Sequence, residues 1–252
     1  MSGPAAPWWR TYFDDVFFRL HDPLFTEAES RTEVAAMREL LALPVGARLL
    51  DVPCGWGRHT ALFAEAGLDA FGADISTDLL ARAEPGVRPR HARYAAADVR
   101  ALPFADACFD AVVNVFTSLG LFLDDAEDVR ALSEARRLLR PGGALLLESM
   151  HRDEVIAAYA ERDRWALPDG TEIRVRRRFD PVTGVSHERW RWRSASGAEG
   201  GEKRHALRLR TATEIDGLLR TAGFTDIAYF GDWDGGPLKR RSERLIAVAR
   251  AP

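Results

Sequence analysis

Cysteine and long hydrophobic runs are both scarce in this sequence. Only Cys54 and Cys108 occur among 252 residues, which implies no disulfide framework, so we expect a reduced, cytoplasmic setting. No stretch approaches the roughly 20 apolar residues that a membrane-spanning helix needs. Residues 1–10 lack the charged region and following apolar run of a secretory leader. We therefore expect neither a membrane segment nor a signal peptide.

An excess of charge of either sign is also lacking. The 35 Lys and Arg residues nearly balance the 38 Asp and Glu residues, which leaves a formal net charge of −3. Such a chain has no overall attraction for nucleic acid or membrane surfaces, and we expect neither as a partner. No His or Cys cluster has the spacing of metal ligands, so no metal site is predicted.

Strand-like and helical segments alternate through the middle of the chain. Alternation of this kind predicts a parallel sheet with helices on both faces. The predicted strands are 48–52, 69–73, 91–97, 109–116 and 144–150, and the predicted helices are 58–66, 77–83 and 126–139. A helix over 212–222 and two strands, 225–230 and 244–249, close the pattern.

Two regions depart from this alternation. Near the N-terminus, apolar side chains at helical spacing predict one aromatic helix, which either packs on the core or covers a ligand: Trp9, Tyr12, Phe13, Val16, Phe17 and Leu20. A second helix is predicted over 33–43. After Met150 come a predicted helix, 152–161, an antiparallel hairpin, 173–179 with 185–193, and a third strand, 205–210. The predicted organisation is a cap (1–44), a core (45–150), an insertion (151–211) and the rest of the core (212–252).

The stretch from Leu49 to Thr60 reads as a strand, a tight turn with two glycines and a helix start. Such turns bring backbone close to a ligand at a helix N-terminus. A dinucleotide site requires a third glycine, where this chain has Thr60. The carboxylate of Asp51, at the end of the strand, would repel a pyrophosphate and instead suits a ligand that carries a positive charge.

This stretch resembles motif I of the class I S-adenosylmethionine-dependent methyltransferases. Further matches follow in order: Asp74 and Asp98 after the second and third strands, Leu102-Pro103-Phe104 with Phe109-Asp110, and the turn from Leu138 to Gly143. They cover residues 45–150, with a weaker echo at 213–250. The resemblance implies an α/β, Rossmann-like, seven-stranded, mostly parallel sheet, with an N-terminal helical cap and an antiparallel β insertion added. It also implies S-adenosylmethionine as the cofactor and methyl transfer as the activity.

The resemblance also implies where the cofactor is bound. It places Asp74 at the ribose hydroxyls and Asp98 at the adenine amino group. The full predicted set is Asp51, Pro53, Gly55, Trp56, Gly57, Asp74, Ile75, Asp98, Val99, Asn114 and Phe116. Pro53 departs from the family pattern because it stands where a first glycine is usual and has no N–H to donate. Trp56 replaces a small residue, and it either walls the methionine portion or packs in the core.

In-line methyl transfer depends chiefly on alignment, and a base is needed where the acceptor is a hydroxyl or an acidic carbon. The candidate bases are His151, His59 and His21, and each has the alternative of a structural or solvent-facing role. The predicted substrate contacts are Tyr12, Glu148, Arg152, Trp190 and Trp192. The two tryptophans pack on the domain, on substrate or across a homodimer.

The hairpin also carries arginines, which form either a solvated outer face or a site for an anionic substrate: Arg174, Arg176, Arg177, Arg178, Arg189, Arg191 and Arg193. A β insertion at this point resembles small-molecule members of the family, such as amino-sugar and glycine-type N-methyltransferases, and favours a small-molecule acceptor. The N/D-P-P-Y/F signature of enzymes that methylate base amino groups is absent. The alternatives are an RNA or protein methyltransferase and a non-methylating S-adenosylmethionine-binding protein. The acceptor atom, O, N or C, stays open.

Overall fold

The computed structural model describes residues 7–83 and 92–252. Helices and strands follow one another along the chain with the following bounds: α1 (Trp9–Tyr12), α2 (Asp15–His21), a 3-10 turn (Asp22–Leu24), α3 (Glu27–Leu40), β1 (Arg48–Asp51), α4 (Arg58–Glu65), β2 (Asp69–Asp74), α5 (Thr77–Ala83), β3 (Arg93–Ala96), β4 (Phe109–Asn114), α6 (Asp125–Leu138), β5 (Leu139–Met150), α7 (Arg152–Ala157), β6 (Arg162–Ala166), β7 (Glu172–Asp180), β8 (Val185–Arg193), β9 (Gly200–Arg208), α8 (Ala212–Thr221), β10 (Thr225–Phe230) and β11 (Arg244–Arg250).

Seven strands form the central sheet in the order β10-β11-β5-β4-β1-β2-β3. The pairs from β3 across to β5 are parallel, while β11 runs antiparallel to both β5 and β10. The predicted seven-stranded, mostly parallel sheet is confirmed. The start of the predicted strand 91–97, His91, lies outside the described residues.

The sheet is buried on both faces because its strands carry apolar residues at consecutive positions. Neighbouring residues of a strand point to opposite faces, so Leu49 and Leu50 enter separate hydrophobic clusters on the two sides. One cluster is completed by α6 and α8, the other by α3 and α4. Helices on both faces leave the strand ends as the accessible edge of the sheet.

The N-terminal segment differs from the single helix that its apolar spacing predicts. The helix breaks at Phe13 and restarts because the Asp14 side chain accepts a hydrogen bond from the Phe17 N–H at 2.9 Å and caps α2. The next helix, α3, begins at Glu27 instead of the predicted residue 33, because Thr26 and Glu29 form a capping box at its start. Residues 8–25 are called the cap below.

The insertion is a second, four-stranded antiparallel sheet in the order β6-β7-β8-β9. The predicted helix over 152–161 is wrong beyond Ala157, since the chain then turns into β6. One face of this insertion sheet packs Ile173, Val175 and Trp190 with Leu20 of the cap. No helix in the described part of the chain is long and apolar enough to cross a membrane.

Candidate functional site

A cavity of about 720 Å³ lies at the carboxyl ends of β1, β2 and β4, between the sheet, the cap and the insertion sheet. Asp51, Asp74 and Asn114 enter its wall as the last residues of these strands. Open α/β sheets bind ligands at this edge. Aromatic residues of the cap lie across from the sheet, so the cavity has a polar strand end and an aromatic cover.

The two glycines of the β1–α4 turn have different roles. Both have positive φ, +55° at Gly55 and +72° at Gly57. A Cβ on Gly57 would lie 2.6 Å from the Tyr94 hydroxyl, whereas a Cβ on Gly55 would meet only Leu79, at 4.0 Å. Gly55 lines the cavity and Gly57 does not. Gly57 therefore serves packing and the start of α4, and Gly55 leaves the cavity wall open for a ligand.

Asp51 and Asp74 are buried carboxylates of the cavity wall, and neither forms an ion pair with a described residue, although Arg58 acts on Asp51 from a greater distance. Asp51 accepts a hydrogen bond from the Thr60 hydroxyl at 2.6 Å, and Asp74 accepts from the N–H groups of Gly55 and Ser76 at 2.8 Å each. Burial raises the pKa of both carboxyl groups. Charged groups of this kind are costly to bury unpaired. A sulfonium cation and ribose hydroxyls fit this pair, so the residues present suit S-adenosylmethionine.

Asp98 is held differently, by a guanidinium. Arg100 donates to both of its carboxylate oxygens, at 2.9 and 2.6 Å, and Arg10 of the cap approaches to 3.9 Å. The hydrogen bond from Arg100 is the main cause that lowers the pKa of Asp98. The same guanidinium lies over the Phe122 and Trp9 rings, at 4.6 and 5.1 Å. This end of the cavity is lined by aromatic and aliphatic side chains, with Ile75 and Val99 also in its wall, and such a lining suits a purine.

Trp56 joins the cofactor end of the cavity to the cap. It is 8% exposed, and its ring lies 5.5, 6.0 and 6.4 Å from the rings of Phe18, Phe25 and Phe17. Trp56 is therefore a packed residue that also lines the cavity, and its place beside the methionine portion of the cofactor stays a prediction. Pro53 lies beside it in the wall.

The segment after β4 has an unusual backbone. Phe116 and Thr117 adopt φ values of +68° and +56°, a region that non-glycine residues rarely occupy. The Phe116 N–H donates to the buried Glu148 carboxylate at 2.6 Å, and Arg244 donates to the same side chain at 3.0 Å. Glu148 itself does not line the cavity among the described residues. It orients Phe116, which is 49% exposed, in the cavity wall.

The three predicted histidines occupy different surroundings. The His59 Nε2 lies 2.7 Å from the Glu33 carboxylate, and with Arg58 it lowers the pKa of Glu33 to about 2 despite burial. His21 is stacked between Phe17 and Trp190, with centroid distances of 3.9 and 4.9 Å, and burial lowers its pKa to about 4. Both line the cavity. His151 is buried outside the cavity wall, where its Nδ1 lies 3.0 Å from the Ser242 carbonyl oxygen.

The predicted substrate contacts divide in the same way. Tyr12 and Trp190 line the cavity. Arg152 instead reaches Glu214 at 3.2 Å, and Trp192 packs within the insertion sheet. Neither of these two belongs to the cavity wall that the structure describes.

Sequence patterns missed a polar group on the insertion sheet. Glu188 on β8 and His205 on β9 are paired across the strands, and both line the cavity. Glu188 accepts hydrogen bonds from Trp190 Nε1 at 2.9 Å and from Arg177 Nε at 3.1 Å. Strand alternation placed Trp190 inward and could have placed Glu188, two residues earlier, on the same face. Arg177 also faces inward, unlike the outer arginines with which the sequence grouped it.

Comparisons with known proteins agree with this geometry. Residues 49–143 match a family model described as a methyltransferase domain. A demethylmenaquinone methyltransferase from Beutenbergia cavernae is 36% identical over 137 residues, 54% of this chain and 55% of that one. The chain spans about half the length of the curated relatives it matches.

Two solved structures extend the likeness over nearly the whole chain. S-adenosylmethionine-bound CalS10, an amino pentose methyltransferase from Micromonospora echinaspora, is 26% identical with a TM-score of 0.69, covering 94% of this chain and 97% of its own. The CcbJ methyltransferase from Streptomyces caelestis has a TM-score of 0.80 at 18% identity, with 96% and 98% covered, and shows the shared fold. The domain match, the relatives and the shared fold together support a class I S-adenosylmethionine-dependent methyltransferase.

Proposed function

We propose that this protein transfers the methyl group of S-adenosylmethionine to a small-molecule acceptor. The observation that carries this proposal is one continuous cavity. It runs from the buried carboxylates Asp51 and Asp74 to the inner face of the insertion sheet at Glu188 and His205. A donor at the strand ends and an acceptor under the cap would lie in one enclosed space, which suits in-line transfer.

The residues of the strand ends would hold the cofactor. Asp74 suits the ribose hydroxyls, Gly55 gives close backbone approach, and Asp51 offers negative charge on the side of the sulfonium. Ile75, Val99 and the Asp98–Arg100 pair suit the adenine. When bound, S-adenosylmethionine supplies an activated methyl group, so the protein's own task is to align the acceptor and exclude water.

Polar contacts that hold the cap in place support the proposal of a small acceptor. The Ser76 hydroxyl donates to the Phe13 carbonyl at 2.5 Å, and Arg82 pairs with Asp15. From the insertion side, Lys203 Nζ lies 2.7 Å from Asp14. A cover tied down on both sides leaves room for a metabolite and blocks a folded macromolecule.

The outer arginines of the insertion sheet favour the same conclusion. Glu202 accepts from Arg189, Arg191 and Arg204 at 2.6 to 2.7 Å. This one carboxylate cancels part of the positive charge of the three guanidinium groups and so reduces their attraction for phosphates. We therefore prefer a small-molecule acceptor to RNA.

His59 has the geometry of a base for an acceptor that must lose a proton. It lines the cavity, and the ionised Glu33 beside it stabilises an imidazolium. His21, with a pKa lowered to about 4, holds a proton poorly at neutral pH. His151 would have to leave its buried contact with Ser242 to act.

Cofactor binding and methyl transfer test this proposal in sequence. Titration calorimetry should show binding of S-adenosylmethionine that falls at least about tenfold in Gly55→Val, where a side chain enters the cavity. Gly46→Val is the matched control, since Gly46 also has positive φ, +82°, but a Cβ there meets nothing within 4 Å. Methyl-labelled cofactor incubated with cell extract should label the small-molecule fraction. Absence of cofactor binding, or label confined to RNA or protein, would contradict the proposal.

A further inference from the structure

The acceptor end of the cavity combines aromatic rings with one carboxylate. We define the acceptor wall as Trp8, Tyr12, Glu188, Trp190 and His205, all of which line the cavity. The Tyr12 ring lies 5.0 Å from the His205 ring and 5.3 Å from the Trp8 ring. Trp190 completes the enclosure at 6.5 Å from His205. The wall therefore combines the rings of Trp8, Tyr12 and Trp190 with the Glu188 carboxylate and the His205 imidazole.

The charged side chains named around this wall carry more negative than positive charge. Arg177 is shared by two carboxylates, Glu188 at 3.1 Å and Asp163 at 3.6 Å. Lys203 is matched by Asp14 at 2.7 Å. Burial lowers the pKa of both His205 and His21, so neither imidazole adds positive charge at neutral pH. One negative charge is left over at the acceptor end.

We propose that the acceptor is a small molecule with a basic amine, which binds as its ammonium ion between the Glu188 carboxylate and the rings of Tyr12 and Trp190. This inference rests on the methyl transfer proposed above and names its acceptor class. An ammonium group is attracted both by aromatic faces and by a carboxylate in a partly desolvated site. A carboxylate or phosphate on the acceptor would instead face the uncompensated negative charge.

The chemistry at this wall then has a complete proton balance. The ammonium would first lose one proton to solvent water, because the lowered pKa of His205 makes its imidazole a poor acceptor for that proton. The freed nitrogen lone pair would form the new N–C bond as the methyl–sulfur bond breaks, and the electron pair of the broken bond would stay on sulfur. The product nitrogen would again be a cation.

Three probes of equal size and different charge test this assignment: benzylamine, benzyl alcohol and benzoate. Each is titrated into the protein saturated with S-adenosylhomocysteine, and binding is followed by calorimetry. Benzylamine is a cation at pH 7.5, since that pH is roughly two units below the pKa of an ordinary alkylamine. We expect it to bind at least about tenfold more tightly than benzyl alcohol. Benzoate should bind most weakly. This ranking is measured on the unaltered protein and depends on no variant.

Glu188→Gln locates the preference within the wall. It should weaken benzylamine about tenfold and leave benzyl alcohol within about twofold. Glu202→Gln, on the outer face of the same sheet, is the matched control and should change neither. Equal binding of the three probes, tighter binding of benzoate, or an unchanged benzylamine affinity in Glu188→Gln would overturn the amine assignment. Loss of S-adenosylhomocysteine binding itself would instead count against the proposed methyl transfer.

Discussion

The two ends of the cavity are built in contrasting ways. At the cofactor end, the wall comes mainly from the ends of β1, β2 and β4 and the segments that follow them. Backbone N–H groups hold the Asp74 carboxylate, and the Thr60 hydroxyl holds the Asp51 carboxylate. At the acceptor end, residues about 190 positions apart in sequence meet, as Tyr12 does with Lys203 and His205. The first end is determined locally by the sheet, and the second only by the packing of the cap on the insertion sheet. Substitutions should therefore separate the two ends.

The largest expected effect lies at Asp74. In Asp74→Ala the N–H groups of Gly55 and Ser76 lose their acceptor and the ribose hydroxyls lose theirs, so we expect S-adenosylhomocysteine affinity to fall about 100-fold. Asp74→Asn, which keeps one acceptor oxygen, should lose less. Calorimetry measures both, and benzylamine binding should change little. If the S-adenosylhomocysteine affinity of Asp74→Ala fell less than threefold, the proposed difference between the two ends of the cavity would be contradicted.

An effect of similar size, on stability instead of ligand affinity, is expected in the stack that joins the cap and the insertion sheet. His21 titrates near pH 6.5 when unfolded and at about 4 when folded. The unfolded state therefore binds the extra proton in this window, and the free energy of unfolding falls as pH drops from 6.5 to 4, by up to about 3 kcal/mol. Burial is the main cause; Lys203 and His205 add to it, and Glu188 and the Phe17 carbonyl oppose it.

His21→Phe tests this by keeping a ring between Phe17 and Trp190 while removing the titrating group. Urea unfolding at several pH values should show a flatter pH profile for the variant than for the unaltered protein. His205 contributes to both profiles, so only their difference reports on His21. Parallel profiles would mean that His21 is not buried neutral in this stack.

A smaller effect is expected at His151, which lies outside both ends. His151→Ala removes the contact with the Ser242 carbonyl oxygen and should lower the free energy of unfolding by about 1 kcal/mol. S-adenosylhomocysteine and benzylamine binding should stay within twofold. A marked loss of turnover on the labelled acceptor, with binding unchanged, would restore His151 as a candidate base.

The smallest effect is expected on the outer face of the insertion sheet. Arg191 is 59% exposed and pairs with Glu202, and surface pairs contribute little. Arg191→Ala should leave stability within about 0.5 kcal/mol and both ligand affinities within twofold. A tenfold loss of methyl transfer would point instead to an acceptor that docks on this face.

The same contrast explains what the sequence could predict. The sequence could place Asp51, Gly55 and Asp74 at the cavity because each lies at or just after the end of a strand with a recognisable apolar run, and such ends lie at the sheet edge. It could not show that the space beside Gly57 is taken by Tyr94, since a glycine does not reveal which neighbour needs the space. Glu188 and His205 had no local signal, because only the insertion sheet's contact with the cap gives them a site. The helix break at Asp14 depends on one capping side chain that apolar spacing ignores.

The break at Phe13 and Asp14 has a consequence for the order of events in a turnover. Carbonyl and carboxylate groups of this short stretch are held by Ser76, two residues beyond Asp74, and by Lys203, two residues before His205. An opening of the cap that admitted an acceptor would break the contacts beside both proposed ligand sites at once. The times for which the two ligands stay bound would then depend on each other.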